Sequence, residues 1–249
     1  MNLLDGNSKK FLDIYNELDD YMRKYLKEYK NKVQTKHAHS ALISNMIMKN
    51  KIFRRFEKDL KSFADLRNTI VHNPDSQFAD PIAEPHEYIV KEYENLRNSV
   101  MNPPNALDTI AIHANNIYIT KMDANALEVM SEMNKHIFTH VPVIENDKLV
   151  GVFSENTIFS YIVHNQEGII PGETLINEFI DFIPLNNHGS ECFEFVPRNT
   201  LVIEIEEIFQ NGLKDNKRIS VIFITQNGKK DEKPLGLITA WDLAGYLDN

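Results

Sequence analysis

The chain has one cysteine, Cys192, among its 249 residues. An intramolecular disulfide is therefore excluded, as is a zinc site built on several thiolates, and a reducing compartment is expected. Long apolar runs are missing too. No stretch approaches the roughly 18 to 20 residues that a bilayer-crossing helix needs. Met1 to Lys10 is polar and holds no apolar signal core, so secretion is not expected. These absences together point to a cytoplasmic protein without a membrane partner.

Basic charge is scarce in one half only. Residues 1–100 carry 17 Lys or Arg against 15 Asp or Glu, whereas residues 101–249 carry 10 against 21, for a net charge of −9. A polyanion such as RNA would have to be met by the first half. The second half would repel it, yet could hold a small nucleotide in a local pocket.

In the first half the apolar residues recur at helical spacing. Phe11, Ile14, Leu18, Met22, Tyr25 and Tyr29 share one face of a helix over 8–30. A second helix is expected over 38–49, a third over 51–72 carrying Phe53, Phe56, Leu60, Phe63, Leu66 and Ile70, and a fourth over 87–100. Asn73-Pro74 ends the third, because proline disfavours helical geometry in the residue before it. Several helices without a strand signal make an all-α bundle over 1–101. Asn102-Pro103-Pro104-Asn105 reads as a domain boundary.

Beyond the boundary the expected order is strand (116–120), helix (125–135), strand (141–145), strand (149–153) and helix (154–165), and the unit then repeats. Asn125-Ala126-Leu127 corresponds to Asn199-Thr200-Leu201, Val141 to Val143 corresponds to Ile219 to Val221, and Val150-Gly151-Val152-Phe153-Ser154 corresponds to Leu235-Gly236-Leu237-Ile238-Thr239. The offsets of 74, 78 and 85 residues grow only across the loops at Gly212 to Lys217 and Gly228 to Lys233, where insertions cost little. The repeat resembles the CBS domain, whose signature is an HVPVIEN-like strand, a hairpin, and a Gly-hydrophobic-hydrophobic-Ser/Thr-x-x-Asp segment opening the last helix. The resemblance implies an α/β CBS-domain pair, a Bateman module, with copies at 104–166 and 172–248.

Gly236-Leu237-Ile238-Thr239-Ala240-Trp241-Asp242 is the fuller match to that last segment. In the family the Thr position contacts phosphate and the Asp position accepts from ribose hydroxyls. The resemblance thus implies a nucleotide site at Thr239, Asp242, Ile219 and Val221, with AMP, ADP or ATP as regulatory ligand. No cofactor is required. A helix start suits an anion, since its free N–H groups and dipole favour negative charge. The purely structural reading is that Thr239 caps the helix and Asp242 complements its dipole. Trp241 stands where a basic residue is often seen in the family. The first copy departs further: Ser154 keeps the hydroxyl, but Thr157 replaces the carboxylate and Glu155 adds negative charge. Its weaker site would comprise Ser154, Thr157, Val141 and Val143. Pro142 also stands opposite Ser220 of the second copy.

Leu66 to Pro74 contains Arg67, Asn68 and His72, which resembles the Arg-x4-His motif of HEPN domains. That resemblance implies a metal-independent ribonuclease whose active site forms across a dimer. An imidazole would move a proton at the ribose 2′-hydroxyl, and a guanidinium would hold the scissile phosphate. Arg67 and His72 lie roughly 140° apart around a helix, so one chain supplies only part of such a site. The structural reading pairs Arg67 with Asp65 or an acid across the bundle, and makes His72 a helix cap. His37 and His39 lack a third ligand at metal spacing, so they read as surface or cap residues and no metal is expected.

The sequence therefore supports a homodimeric regulatory protein that senses a nucleotide and relays it to a helical output domain with an RNA or protein partner. The rival readings are a nucleotide-regulated HEPN-type ribonuclease and a nonenzymatic dimerisation scaffold.

Overall fold

A computed structural model describes residues 6–29, 38–71, 83–166, 168–214 and 216–247. The chain divides into two compact units, Met1–Pro103 and Pro104–Asn249.

The regular elements among the described residues of the first unit are all helices: α1 (Asn7–Tyr29), α2 (His39–Lys49), α3 (Lys51–Arg55), α4 (Glu57–Val71) and α5 (Glu87–Met101). The apolar stripe of α1 is Phe11, Ile14, Leu18, Met22 and Leu26, all buried. Leu26, four residues after Met22, closes the stripe instead of the expected Tyr25, which is only half-buried. The single helix expected over 51–72 is broken at Phe56, whose φ of −94° and ψ of 17° cap α3. Phe11, Phe63 and Tyr93 stack between α1, α4 and α5, with ring centroids 4.8 Å (Phe11–Tyr93) and 4.3 Å (Phe63–Tyr93) apart. Such rings contribute about 1.5–3 kcal/mol each through area removed from water. No described helix of the chain is long and apolar enough to cross a membrane.

The second unit is α/β. It contains α6 (Ala106–Thr109), β1 (Ile112–His113), α7 (Ala126–His136), β2 (His140–Glu145), β3 (Lys148–Ser154), α8 (Glu155–Asn165), β4 (Glu191–Pro197), α9 (Val202–Asn211), β5 (Leu213–Lys214), β6 (Lys217–Thr225), β7 (Gly236–Thr239) and α10 (Ala240–Leu247). One sheet has the order β1-β7-β6-β4, with β5 on β6, and β2-β3 form the other. The β2–β3 hairpin turns on Asn146 and Asp147, both at positive φ, which matches the right-handed twist of its strands. The strand expected over 116–120 is instead a 3-10 turn at Ala114–Asn116 followed by a single parallel bridge from Thr120 to Val143.

The two copies exchange their leading segments. Ala106 N donates to Thr200 O at 2.8 Å, so α6 packs with α9, and β1 pairs with β7. In mirror fashion Ala126 N donates to Thr174 O at 2.8 Å, and Val152 N to Ile183 O at 3.0 Å. Two separate cores result. Ala106, Leu107 and Ile110 join Val202, Ile205, Ile222 and Ile238, while Val129 and Met133 join Val141, Val143, Phe153, Phe179 and Ile183. A third cluster, Val152, Phe193, Val221, Phe223 and Leu237, lies where strands of both copies meet.

Candidate ligand site

A cavity of about 570 Å³ opens in the second unit between the copies. Val221 and Phe223 of β6 and Leu237 of β7 provide apolar wall, joined by Ile112 of β1 and Val152 of β3. Tyr118, Phe138, Thr139, His140 and Pro142 line it from the first copy, and His136 and Ile137 from the end of α7. Thr239, Trp241 and Asp242 line it at the start of α10.

Asp242 turns back onto the helix start. Its Oδ2 accepts from Thr239 N at 2.7 Å and from Thr239 Oγ1 at 2.7 Å. The carboxylate thus satisfies a backbone donor that helix geometry leaves open, and it also fixes the hydroxyl rotor. The pair closes the helix start, and both residues line the cavity. Val221 lines that cavity as expected. Ile219 does not; it packs half-buried against the core around Ile222 and Ile224. Two residues from Val221, it would share the cavity face by simple alternation; the register shift between Cys192 and Phe193 opposite it makes Ser220 an extra residue and turns Ile219 to the face of Ile222 and Ile224.

The weaker site expected in the first copy is closed from within. Ser154 is fully buried, and its Oγ donates to Glu191 Oε2 at 3.0 Å. Asn156 Nδ2 donates to Oε1 of the same carboxylate. His140 Nε2 lies 3.0 Å from Glu191 Oε1, and His188 Nδ1 lies 3.0 Å from Oε2. Thr157 replaces the family carboxylate by bonding Ser154 N through its own hydroxyl at 3.1 Å. Val141 and Val143 are fully buried core residues of the first copy. Glu191 therefore stands as a built-in anion at the start of α8. Burial pushes its carboxyl up. Hydrogen bonds from His140 and His188, the charge on His140 and the Asn156 amide outweigh burial and hold it far below the usual carboxylate range. His188 Nε2 also faces Ile183 O at 3.2 Å, so both of its ring nitrogens have a partner.

Sequence reasoning missed Glu191, His188 and His140. His140 belongs to both places: it lines the open cavity and binds the carboxylate that fills the closed one. Its Nδ1 lies 2.8 Å from Thr139 Oγ1, so both ring nitrogens are engaged and the ring is held still.

The family model for the CBS domain matches residues 110–164. That stretch is a CBS domain. No curated protein matches the chain. Among solved structures, a CBS domain protein from Streptococcus pneumoniae TIGR4 is similar at 16% identity and a TM-score of 0.42, over 66% of this chain and 92% of that one. CBSX2, solved in complex with AMP, is similar at 13% identity and a TM-score of 0.41, over 58% of this chain and 96% of that one. The CBS domain pair of MJ0100, solved with 5′-methylthioadenosine and S-adenosyl-L-methionine, is similar at 17% identity and a TM-score of 0.39, over 59% and 97%. The match at 110–164 contains Tyr118, Phe138, His140 and Pro142 of the cavity, whereas Thr239 and Asp242 lie beyond it.

In the helical unit Arg67 and Asn68 sit together on α4, with Arg67 Nη1 3.4 Å from Asn68 Oδ1. His72 lies outside the described residues. Arg67 does not pair with Asp65 as the structural reading expected. Its guanidinium lies 5.0 Å over the Tyr15 ring, and its buried Nε has no hydrogen-bond partner among the described residues. His39 also stacks on Tyr15, with ring centroids 3.9 Å apart, and its Nδ1 lies 2.8 Å from Asp19 Oδ1. His39 is therefore a buried bundle residue and not the surface or cap residue expected, because Asp19 supplies the partner that burial demands. Desolvation lowers the His39 pKa despite Asp19. His37 lies outside the described residues. No group of three metal-ligating side chains occurs among the described residues.

Proposed function

We propose that the second unit is a ligand-sensing CBS pair that binds an adenine nucleotide or nucleoside in its open cavity and relays occupancy to the helical unit. The supporting observation is the cavity itself, framed by Thr239, Asp242 and Val221, the residues that the family pattern assigns to ligand. Its volume of about 570 Å³ lies within the range of small-molecule sites. Asp242 Oδ2 is used by Thr239, which leaves Oδ1 to accept from a ribose hydroxyl. Aromatic faces at Tyr118, Phe138 and Trp241 suit a purine ring.

The relay has a short covalent route. Pro104 O accepts from Val202 N at 3.0 Å, α6 follows at once, and Ile112 of β1 lines the cavity. The chain leaving the helical unit thus becomes cavity wall within ten residues of the boundary. A ligand that shifts β1 against β7 acts directly on that connection.

Trp241 is the only tryptophan of the chain and lines the cavity, so its fluorescence reports occupancy. Titration with adenosine, AMP, ADP and ATP gives a saturable change with at least one of them, and Asp242→Ala weakens it tenfold or more. Unaltered emission and no calorimetric heat with all four, at concentrations suited to micromolar affinity, rejects the sensor and leaves a dimerisation scaffold.

A ribonuclease output has one observation in its favour. The buried Arg67 Nε lacks a partner among the described residues, and a buried donor left unpaired costs about 1–3 kcal/mol, a cost retained where a ligand uses the group. RNA incubated with the full chain and with Arg67→Ala tests it. Equal cleavage, or none in either, removes the reading.

A further inference from the structure

The charge of the cavity selects among ligands. Its described lining contains no lysine and no arginine. The fixed charge there is a negative one, Asp242, and it stands at the start of α10, the point where free backbone N–H groups would otherwise attract a phosphate. Asp242 already takes Thr239 N at 2.7 Å, so the helix start is spent on an internal carboxylate. Trp241 occupies the neighbouring position and is 83% exposed, offering an aromatic face and no cation. The surrounding half of the chain carries 10 basic against 21 acidic residues, so the long-range field also opposes a polyanion. The closed site makes the same contrast. There an anion is held, but by two histidines, an amide and a hydroxyl, and that anion is Glu191.

Resting on the adenine-ligand reading above, we propose that this cavity takes a nucleoside whose 5′ substituent is uncharged or cationic, and that it discriminates against nucleotide di- and triphosphates. Ribose hydroxyls are donors and match the free Asp242 oxygen. Each phosphate adds negative charge in a pocket whose described lining has no lysine or arginine to neutralise it. Aromatic walls also favour a cationic substituent through their ring faces. His136 and His140 are the cavity's titratable bases. His140 is already engaged by Glu191 and Thr139, and His136 lies 3.3 Å from Glu132. Each already faces a carboxylate, which competes with a triphosphate for it.

The test titrates the full chain with adenosine, 5′-methylthioadenosine, AMP and ATP, followed by Trp241 fluorescence and calorimetry at fixed ionic strength. Adenosine and 5′-methylthioadenosine bind with similar affinity, AMP about tenfold more weakly or worse, and ATP more weakly still, with the gap narrowing as salt rises. His136→Lys, at an exposed helix end that tolerates a cation, raises the affinity for ATP relative to adenosine. ATP or AMP binding as tightly as adenosine overturns the charge selection and leaves the sensor reading intact. Failure of every adenine ligand to bind overturns both. A His136→Lys variant with an unaltered ATP-to-adenosine ratio also counts against the charge argument, because its fold is not in question at that position.

Discussion

Replacing Glu191 with alanine removes the acceptor on which four buried or half-buried donors converge: Ser154 Oγ, Asn156 Nδ2, His140 and His188. Breaking a buried ion pair by deleting one partner costs about 3–5 kcal/mol, since the remaining charge stays behind without compensation. Here the groups left behind are buried donors without their acceptor, each costing about 1–3 kcal/mol, and His188 cannot turn away without losing Ile183 O. Water entering the vacated space would offset part of the loss, so about 3–4 kcal/mol is the working figure. For a unit of this size each kcal/mol moves the midpoint by roughly 2–4 °C, which gives a fall of about 6–16 °C. Differential scanning calorimetry of the full chain reads it directly, with Glu191→Gln as the intermediate case. Glutamine keeps the volume but turns one acceptor into a donor facing His140 or His188. A fall smaller than about 3 °C for Glu191→Ala would refute the claim that this carboxylate holds the closed site together.

Three further outcomes follow from the same geometry. Because the Glu191 carboxyl is depressed in the folded state, its contribution is complete above its ordinary value of 4.5 and is lost as pH falls further; the acid limb of a stability profile should steepen below pH 4.5 in wild type and flatten in Glu191→Ala. Gly151→Ala places a Cβ 2.1 Å from the Ile183 carbonyl oxygen, which must force β3 and that backbone apart; a loss of about 3 kcal/mol or failure to fold is expected by circular dichroism, and a wild-type midpoint would contradict the contact. In the helical unit, Asp19→Ala leaves the buried His39 ring without its acceptor and lowers stability by about 1–3 kcal/mol, measured by denaturant unfolding; no change would show that the Tyr15 stack alone holds His39.

What could be seen in the sequence and what could not divides along contact distance. Thr239 and Asp242 were legible because the chemistry of a helix start is local: three residues separate hydroxyl and carboxylate, and the resulting capping pair is the one observed. The apolar face of α1 was legible from spacing up to Met22, and failed only at the last turn. The break at Phe56 carries no proline or glycine to announce it. The 116–120 segment looked like a strand because Ile117, Tyr118 and Ile119 make a short apolar run, while its pairing is one bridge at Thr120. Glu191 was invisible for a different reason. It lies 37 residues from Ser154 and 51 from His140, so only the fold brings them together. An acidic residue opening a strand is unremarkable in composition, and its role depends wholly on burial. The exchange of leading segments between copies was hidden likewise, because a repeat seen in sequence carries no record of which copy each segment completes.

The central claim is that this CBS pair has one working cavity, at Thr239 and Asp242, and one filled by its own Glu191. Calorimetric titration of the full chain with adenosine tests both parts through stoichiometry. The account predicts one site per chain, abolished or weakened at least tenfold in Asp242→Ala and retained in Glu191→Gln. Two sites per chain in wild type, or binding that survives Asp242→Ala and disappears with Ser154→Ala, would contradict it.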